Sequence, residues 1–130
     1  MHPDTVARFL VTAFFAIAFV QSSLDKLIDR EGNLGYLTDH FKNSVIPPAA
    51  VPLLFWSLTV IEAAAGSLCA LGLLLGDYAS PGFGVAACGV ALAGVALLCL
   101  LLGQRMAKDY AGAAVVAAYF AVALIGMAAF

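Results

Sequence analysis

The chain alternates between four long apolar runs and short polar segments. The runs cover about residues 6–28, 49–75, 82–103 and 110–130, and each is close to the ~20 residues that cross a bilayer as a helix. A spanning segment must satisfy its own backbone hydrogen bonds, and four strands are too few to close a barrel. The pattern therefore predicts an all-α membrane protein: an antiparallel four-transmembrane-helix bundle that forms a single domain over residues 1–130.

Residues at the ends of the runs are of types that begin and end helices. Pro52 is tolerated in a first turn because that turn needs no N–H partner, and Gly76 ends the second run. For the third run, Ser80 is predicted to cap the helix with its hydroxyl group and Pro81 to occupy the first helical position. Asp109 is available to cap the fourth.

The connection over residues 29–48 has a pattern of its own. Leu34, Leu37, Phe41 and Val45 recur at steps of three or four, with polar residues between them. This spacing predicts a short amphipathic helix at the membrane surface between the first two spans. An irregular loop with chance spacing is the alternative.

Composition agrees with a membrane location. Hydrophobic residues make up 64% of the chain and charged residues 11%, too little polar material to cover the surface of a water-soluble domain. The net charge of -2 and the scattered Lys and Arg residues argue against nucleic acid as a partner. A signal peptide is a second interpretation of the first run, because Arg8 precedes the apolar residues, but we treat the run as a span.

The distribution of basic residues predicts the orientation. Arg8 alone flanks the side that bears both termini. The residues that flank the opposite side are Lys26, Arg30, Lys42, Arg105 and Lys108. By the positive-inside rule, the 29–48 loop is cytoplasmic and both termini lie outside, in a bacterial or archaeal cytoplasmic membrane.

Glu62 is the most informative polar residue, because it lies near the middle of the second run. A carboxylate at that depth requires a proton or a partner. Counting along the antiparallel first span places Gln21 and Ser22 at a similar depth and Lys26 one turn further out, while Tyr119 is a candidate donor from the fourth span. The predicted intramembrane polar cluster is Glu62, Lys26, Gln21 and Tyr119. It is either a proton-relay or ligand site, or a structural clamp between helices.

Small residues share the helix face of Glu62. Gly66 and Ala70 follow it at steps of four, so they form a predicted helix-packing face along which a neighbouring helix approaches closely. The third and fourth runs are also rich in Gly and Ala. Dense packing of this kind favours a tight bundle over an open pore.

The sequence predicts no catalytic, cofactor-binding or metal site. His2 and His40 lie outside the apolar runs, so no histidine is placed to ligate a haem within a span. Cys69, Cys88 and Cys99 are not spaced as a thiol redox motif, and no grouped Cys and His residues indicate zinc or an iron–sulfur cluster. There is no phosphate-binding glycine loop and no nucleophile with a positioned histidine. Whether the chain is an enzyme stays open, although catalysis by the isolated chain is not expected.

Two short motifs resemble a known family. Glu62, Gly66 and Gly72 follow the Glu-x-x-x-Gly-x-x-x-x-x-Gly pattern of the DoxX-like family of small four-helix membrane proteins. The first span is similar to that family's opening helix. Its matching residues are Arg8, Phe14, Phe15, Leu24 and Lys26. The resemblance extends over most of the chain, and it makes Lys26 and Glu62 the matching polar positions.

The resemblance implies a link to membrane redox systems, including a subunit of thiosulfate:quinone oxidoreductase and small partners of respiratory or oxidative-stress complexes. On that basis the expected function is a non-catalytic accessory subunit in electron transport, which packs against larger subunits of an oxidoreductase complex and against lipid, with quinone at an interface. The alternative is an independent protein that handles quinone or a small solute through a Glu62-centred site. Fold alone does not decide between them.

Overall fold

A computed structural model describes residues 2–130, and within them it is helical with no strands. The helices are α1 (Pro3–Ile28), α2 (Arg30–His40), α3 (Val51–Leu75), α4 (Val85–Met106) and α5 (Tyr110–Ala129). Short 3₁₀ turns cover Pro48–Ala50 and Asp77–Ala79. Four of the helices, α1, α3, α4 and α5, are long and apolar enough to span a membrane, as the sequence predicts.

The long helices carry much of their apolar surface on the outside. Ile17 on α1, Leu74 on α3 and Ile125 on α5 are 68%, 85% and 73% exposed. So much exposed apolar surface would drive aggregation in water, but it matches the hydrocarbon of a bilayer. The four helices therefore indicate a multi-pass membrane protein.

Small residues form the contact between α3 and α4, which is the most extensive in the bundle. Ala86, Gly89 and Ala93 on α4 are buried. A Cβ atom at Gly89 would lie 2.7 Å from the backbone nitrogen of Cys69 on α3. Backbones that approach this closely gain van der Waals contact, which is the main source of helix association in lipid.

The first turn of α4 is capped differently from the sequence prediction. The helix begins at Val85, three residues after the predicted start, and the predicted cap by Ser80 and Pro81 is wrong. The backbone N–H groups of Val85 and Ala86 instead donate to the carboxylate of Asp77. The 3₁₀ turn that contains Asp77 brings this acidic side chain back to the helix N-terminus, where a negative charge is favourable.

Other helix ends follow the sequence signals. Gly76 ends α3 in the left-handed conformation, with φ of 72°, which glycine adopts without steric cost. Pro52 lies in the first turn of α3. Asp109 caps α5, because its Oδ1 accepts a hydrogen bond of 2.9 Å from the backbone nitrogen of Gly112. α1 begins at Pro3, three residues before the predicted start.

The connection between α1 and α3 contains a helix, but a shorter one than the apolar spacing indicates. Within α2, Leu34 and Leu37 are half-buried, and Phe41, which follows the last helical residue, is buried. Val45 lies beyond the helix and is 85% exposed. Its helical spacing is therefore coincidental, since the helix ends at His40.

Arg8 ties three segments together at one end of the bundle. Its side chain is buried, with 5% exposure. Its Nε donates to the carbonyl oxygen of Tyr78 at 2.6 Å and its Nη1 to that of Ala129 at 2.9 Å, while Nη2 donates to Thr5 Oγ1 at 3.0 Å. The guanidinium thus joins the start of α1 to the α3–α4 connection and to the end of α5, where carbonyl groups lack helical partners.

Candidate functional site: the Lys26–Ser22–Glu62 cluster

The centre of the α1–α3 contact holds a polar cluster. Ser22 and Lys26 are four residues apart on α1 and so share one helix face. Glu62 lies on α3 and is 1% exposed. Its Oε2 accepts hydrogen bonds from Ser22 Oγ at 2.8 Å and from Lys26 Nζ at 3.0 Å. Lys26 Nζ also donates to Ser22 Oγ at 2.9 Å, which closes a triangle of three side chains.

Gly66 explains why α1 and α3 come close enough to form this cluster. It lies one turn after Glu62, and a Cβ atom there would lie 2.7 Å from the backbone nitrogen of Val20 on α1. The missing side chain lets the two backbones touch. Ala70, a further turn along α3, is half-buried and packs against the core. Gly66 thus brings the Glu62 carboxylate within reach of Ser22 and Lys26.

The Glu62 carboxylate has one cationic donor and one neutral donor beside it. Lys26 is 15% exposed, and its long apolar stem lets the ammonium group reach inward to Glu62 from the end of α1. An isolated buried charge would lose its hydration without gaining another interaction. The ion pair and the Ser22 hydroxyl supply an opposite charge and hydrogen bonds instead. The arrangement therefore links α1 to α3 through buried polar side chains.

Two predicted members of the cluster lie elsewhere. Gln21 is exposed, and Tyr119 is 42% exposed with its ring edge-on to Phe14 at 5.6 Å between centroids. Within residues 2–130 neither hydrogen-bonds to Glu62. One residue along a helix turns the side chain by about 100°, so Ser22 faces α3 while Gln21 faces outward. Ser22 is the cluster residue that the sequence prediction placed at the right depth but did not include.

Gln21 instead lines an open groove of about 820 Å³ on the outer side of α1. Ile17, Ser22 and Leu24 line the same groove, and Ala70 contributes from α3. The groove therefore exposes the Gln21 amide on a surface that is mainly apolar and that also carries Asp25.

Metal-ligating groups are sparse in the part of the chain that the structure describes. Residues 2–130 contain no cluster of three or more His, Cys, Asp or Glu residues that could hold a metal ion. Cys69 is buried, Cys88 and Cys99 are exposed, and all three are free thiols. The polar contacts of the site are the Lys26–Glu62 ion pair and the hydrogen bond from Ser22.

Comparison with known proteins adds no relative. No family model, no curated protein and no solved structure matches the chain. The class is therefore defined by the fold and the site alone: a helical protein with four membrane-spanning candidates and a buried ion pair between the first and second of them.

Proposed function

We propose that the chain is a DoxX-like, non-catalytic accessory subunit of a membrane-bound oxidoreductase in a bacterial or archaeal cytoplasmic membrane. The pattern of Glu62, Gly66 and Gly72 supports the family assignment. The observation that carries the proposal is the groove on α1, where the amide of Gln21 is exposed beside apolar side chains. With the middle of α1 at the centre of the bilayer, Gln21 is about 8 Å from that centre at 1.5 Å per residue, within the ~15 Å half-thickness of the hydrocarbon.

A polar side chain in this position favours a protein neighbour over lipid. Lipid tails offer no hydrogen bond to an amide, whereas a helix from a partner subunit does, and amide side chains are among those that join helices across membrane interfaces. Ile17 and Leu24 lie one turn before and about one turn after Gln21 in the same groove. A helix with small residues and a polar group fits this surface.

Replacement of Gln21 by Leu tests the proposal. We expect Gln21→Leu to lower co-purification with a subunit that carries a redox cofactor by several-fold in mild detergent, because the interhelical hydrogen bonds are lost. Gln21→Asn keeps an amide and should retain most of the association. The measurement is cofactor absorbance per mole of this chain after affinity purification.

Ser67→Ala is the matched control, because it removes an exposed polar group from α3 outside the groove. It should leave the recovery of the cofactor unchanged. A stable, cofactor-free homo-oligomer that Gln21→Leu does not affect would contradict the accessory-subunit proposal.

We also propose that neighbouring spans run antiparallel, that α2 lies at the membrane surface and that both termini are outside. The hydrogen bonds of Arg8 support this arrangement, because they join the start of α1 to the end of α5. At the other end, His40 Nε2 lies 2.7 Å from Gln104 Oε1 near the end of α4. The five-to-one distribution of Lys and Arg supports a cytoplasmic 29–48 loop.

Cysteine labelling tests the orientation. Asn43→Cys and Ser80→Cys place thiols at exposed positions in the two connections. With Cys88 and Cys99 replaced by Ala, we expect a membrane-impermeant maleimide added to intact cells to label position 80 and not position 43. Labelling after cell lysis controls for reactivity. Preferential labelling of position 43 in intact cells would reverse the orientation.

The second candidate function is the independent handling of quinone or a small solute at the Glu62-centred site. The observation in its favour is that Ser22, which donates to Glu62, also lines the open groove. A molecule in the groove would therefore be separated from the carboxylate by one side chain. Glu62→Gln distinguishes this function from a structural role.

A further inference from the structure

A second cavity, of about 260 Å³, lies between α2, α3 and α4. Its walls are mainly apolar and include aromatic rings, with Phe41 from the end of α2, Phe55 and Ile61 from α3, and Leu100 from α4. The volume equals that of about nine water molecules at ~30 Å³ each, and is just below the ~300 Å³ at which ligand pockets usually begin. The cavity therefore has room for one small molecule.

Polar groups line the cavity where α2 ends and α4 approaches its last turn. His40 and Gln104 both contribute to the lining and are joined by the contact of 2.7 Å between His40 Nε2 and Gln104 Oε1. The ring of Tyr36 stacks on that of His40 with 5.3 Å between centroids. An imidazole and an amide each both donate and accept hydrogen bonds, so this end of the cavity is suited to a hydroxyl or a carbonyl group.

The charges around the cavity favour a neutral ligand. Among residues 2–130, the lining contains no Lys, Arg, Asp or Glu. Asp109 Oδ2 lies 3.8 Å from His40 Nε2, which adds a negative charge beside the polar end and disfavours an anion. An ionic ligand would be desolvated in this cavity without an opposite charge.

The geometry points to a binding site for a neutral amphipathic molecule about the size of one substituted aromatic ring. Its hydroxyl or carbonyl group hydrogen-bonds to His40 or Gln104, and its apolar body lies against Phe41, Phe55 and Leu100. The site goes beyond the accessory-subunit function, because neither Glu62 nor Gln21 lines the cavity. Such a molecule enters from the bilayer with its polar group toward the connections.

Binding of 4-bromophenol to the full chain in lipid nanodiscs tests the site. Trp56 is the single tryptophan, and its ring lies 5.1 Å from that of Phe55, which lines the cavity. Bromine quenches tryptophan fluorescence at short range, so occupancy is measured as a saturable quench. 4-Bromotoluene has the same shape without the hydroxyl and serves as the control for partition into lipid.

We expect saturable quenching by 4-bromophenol and only linear quenching by 4-bromotoluene. His40→Phe, which keeps an aromatic ring against Tyr36, should weaken the affinity about tenfold, the usual consequence of one lost hydrogen bond in a dry site. Gln104→Leu should weaken it similarly. Leu100→Phe reduces the volume of the cavity beside the apolar body of the ligand and should remove most of the saturable phase, whereas Leu98→Phe, at a position 49% exposed on α4, should preserve it.

Circular dichroism verifies that each variant is folded. Linear quenching by 4-bromophenol alone would overturn the proposal. Equal saturable quenching by both probes, lost in Leu100→Phe, would also overturn it, because the cavity would then hold apolar chains without use of its polar end. Neither result bears on the association of Gln21 with a partner subunit, so the two proposals fail separately.

Discussion

Replacing Lys26 with Met should lower the free energy of unfolding by about 3 kcal/mol, because it leaves the Glu62 carboxylate buried without its cation. Glu62 is 1% exposed and Lys26 Nζ lies 3.0 Å from its Oε2. Ser22 alone cannot neutralise the charge, so the carboxylate must take up a proton or the helices must separate. The measurement is an SDS titration of the protein in mixed micelles, followed by circular dichroism.

Replacing Glu62 in place of Lys26 should lower the free energy of unfolding by a smaller amount. Glu62→Gln leaves an amide oxygen that still accepts from Ser22, while the ammonium group of Lys26 can turn toward the membrane surface on its flexible stem. We expect a loss of about 1 kcal/mol, the size of a typical net hydrogen-bond contribution. The double variant should recover most of the stability lost in Lys26→Met. If Lys26→Met is as stable as the original chain, the ion pair does not hold α1 to α3.

Glu62→Gln also separates the two candidate functions. The accessory-subunit proposal expects the variant to assemble with its complex and to support nearly normal turnover. A site that relays protons or holds a ligand through the carboxylate should instead assemble normally and lose turnover. Assembly is followed by cofactor recovery, so loss of the complex is not mistaken for loss of chemistry.

The second large effect is expected at Gly66. Gly66→Ala places a Cβ atom 2.7 Å from the backbone nitrogen of Val20, and a backbone atom cannot move aside as a flexible side chain can. The helices must separate by a few tenths of an ångström or more, and we expect a loss of about 1–3 kcal/mol, as for other overpacked contacts. The same SDS titration measures it.

Gly94→Ala is the matched control for Gly66→Ala. Gly94 lies within α4, and the nearest atom to an added Cβ is 3.9 Å away, which is ordinary contact. The change should be neutral or stabilising by up to about 1 kcal/mol, because alanine favours a helix over glycine. Equal effects at the two positions would contradict a close contact at Gly66.

The two large effects should also be coupled. If Gly66 brings Glu62 to Lys26, separation of the helices weakens the ion pair, and Lys26→Met should then cost less in the Gly66→Ala background than in the original chain. Neighbouring sites that share an interaction show such non-additivity. Purely additive losses would mean that the ion pair forms independently of the glycine contact.

The sequence was sufficient to predict the four spans because their signal is long and strong. Twenty apolar residues in a row have few alternatives. The caps are also local, because Gly76 directly follows α3 and Asp109 directly precedes α5. The cap of α4 was not predicted because it is not local. Asp77 lies eight residues before Val85, and local sequence signals do not show that the intervening turn brings its side chain back to the helix.

The sequence predicted how far along the bundle the site residues lie, but not which way their side chains point. Helical spacing placed Gln21 and Ser22 at the level of Glu62, yet the rotation of α1 about its axis depends on contacts such as that between Val20 and Gly66. The direction of Tyr119 depends likewise on the packing of α5, where its ring meets Phe14 on α1. The sequence did not indicate the contacts of Arg8, because its principal partners are backbone carbonyl groups and these are present at every residue.

The buried ion pair has a consequence for the order of events during synthesis. A carboxylate near the centre of a helix adds about 2.5–3.5 kcal/mol to the cost of inserting that helix into a bilayer, and Glu62 is one residue from the middle of α3. α1 is made first and carries both Ser22 and Lys26. We therefore expect α1 to remain near the site of insertion until α3 emerges, so that Lys26 and Glu62 enter the lipid as a pair.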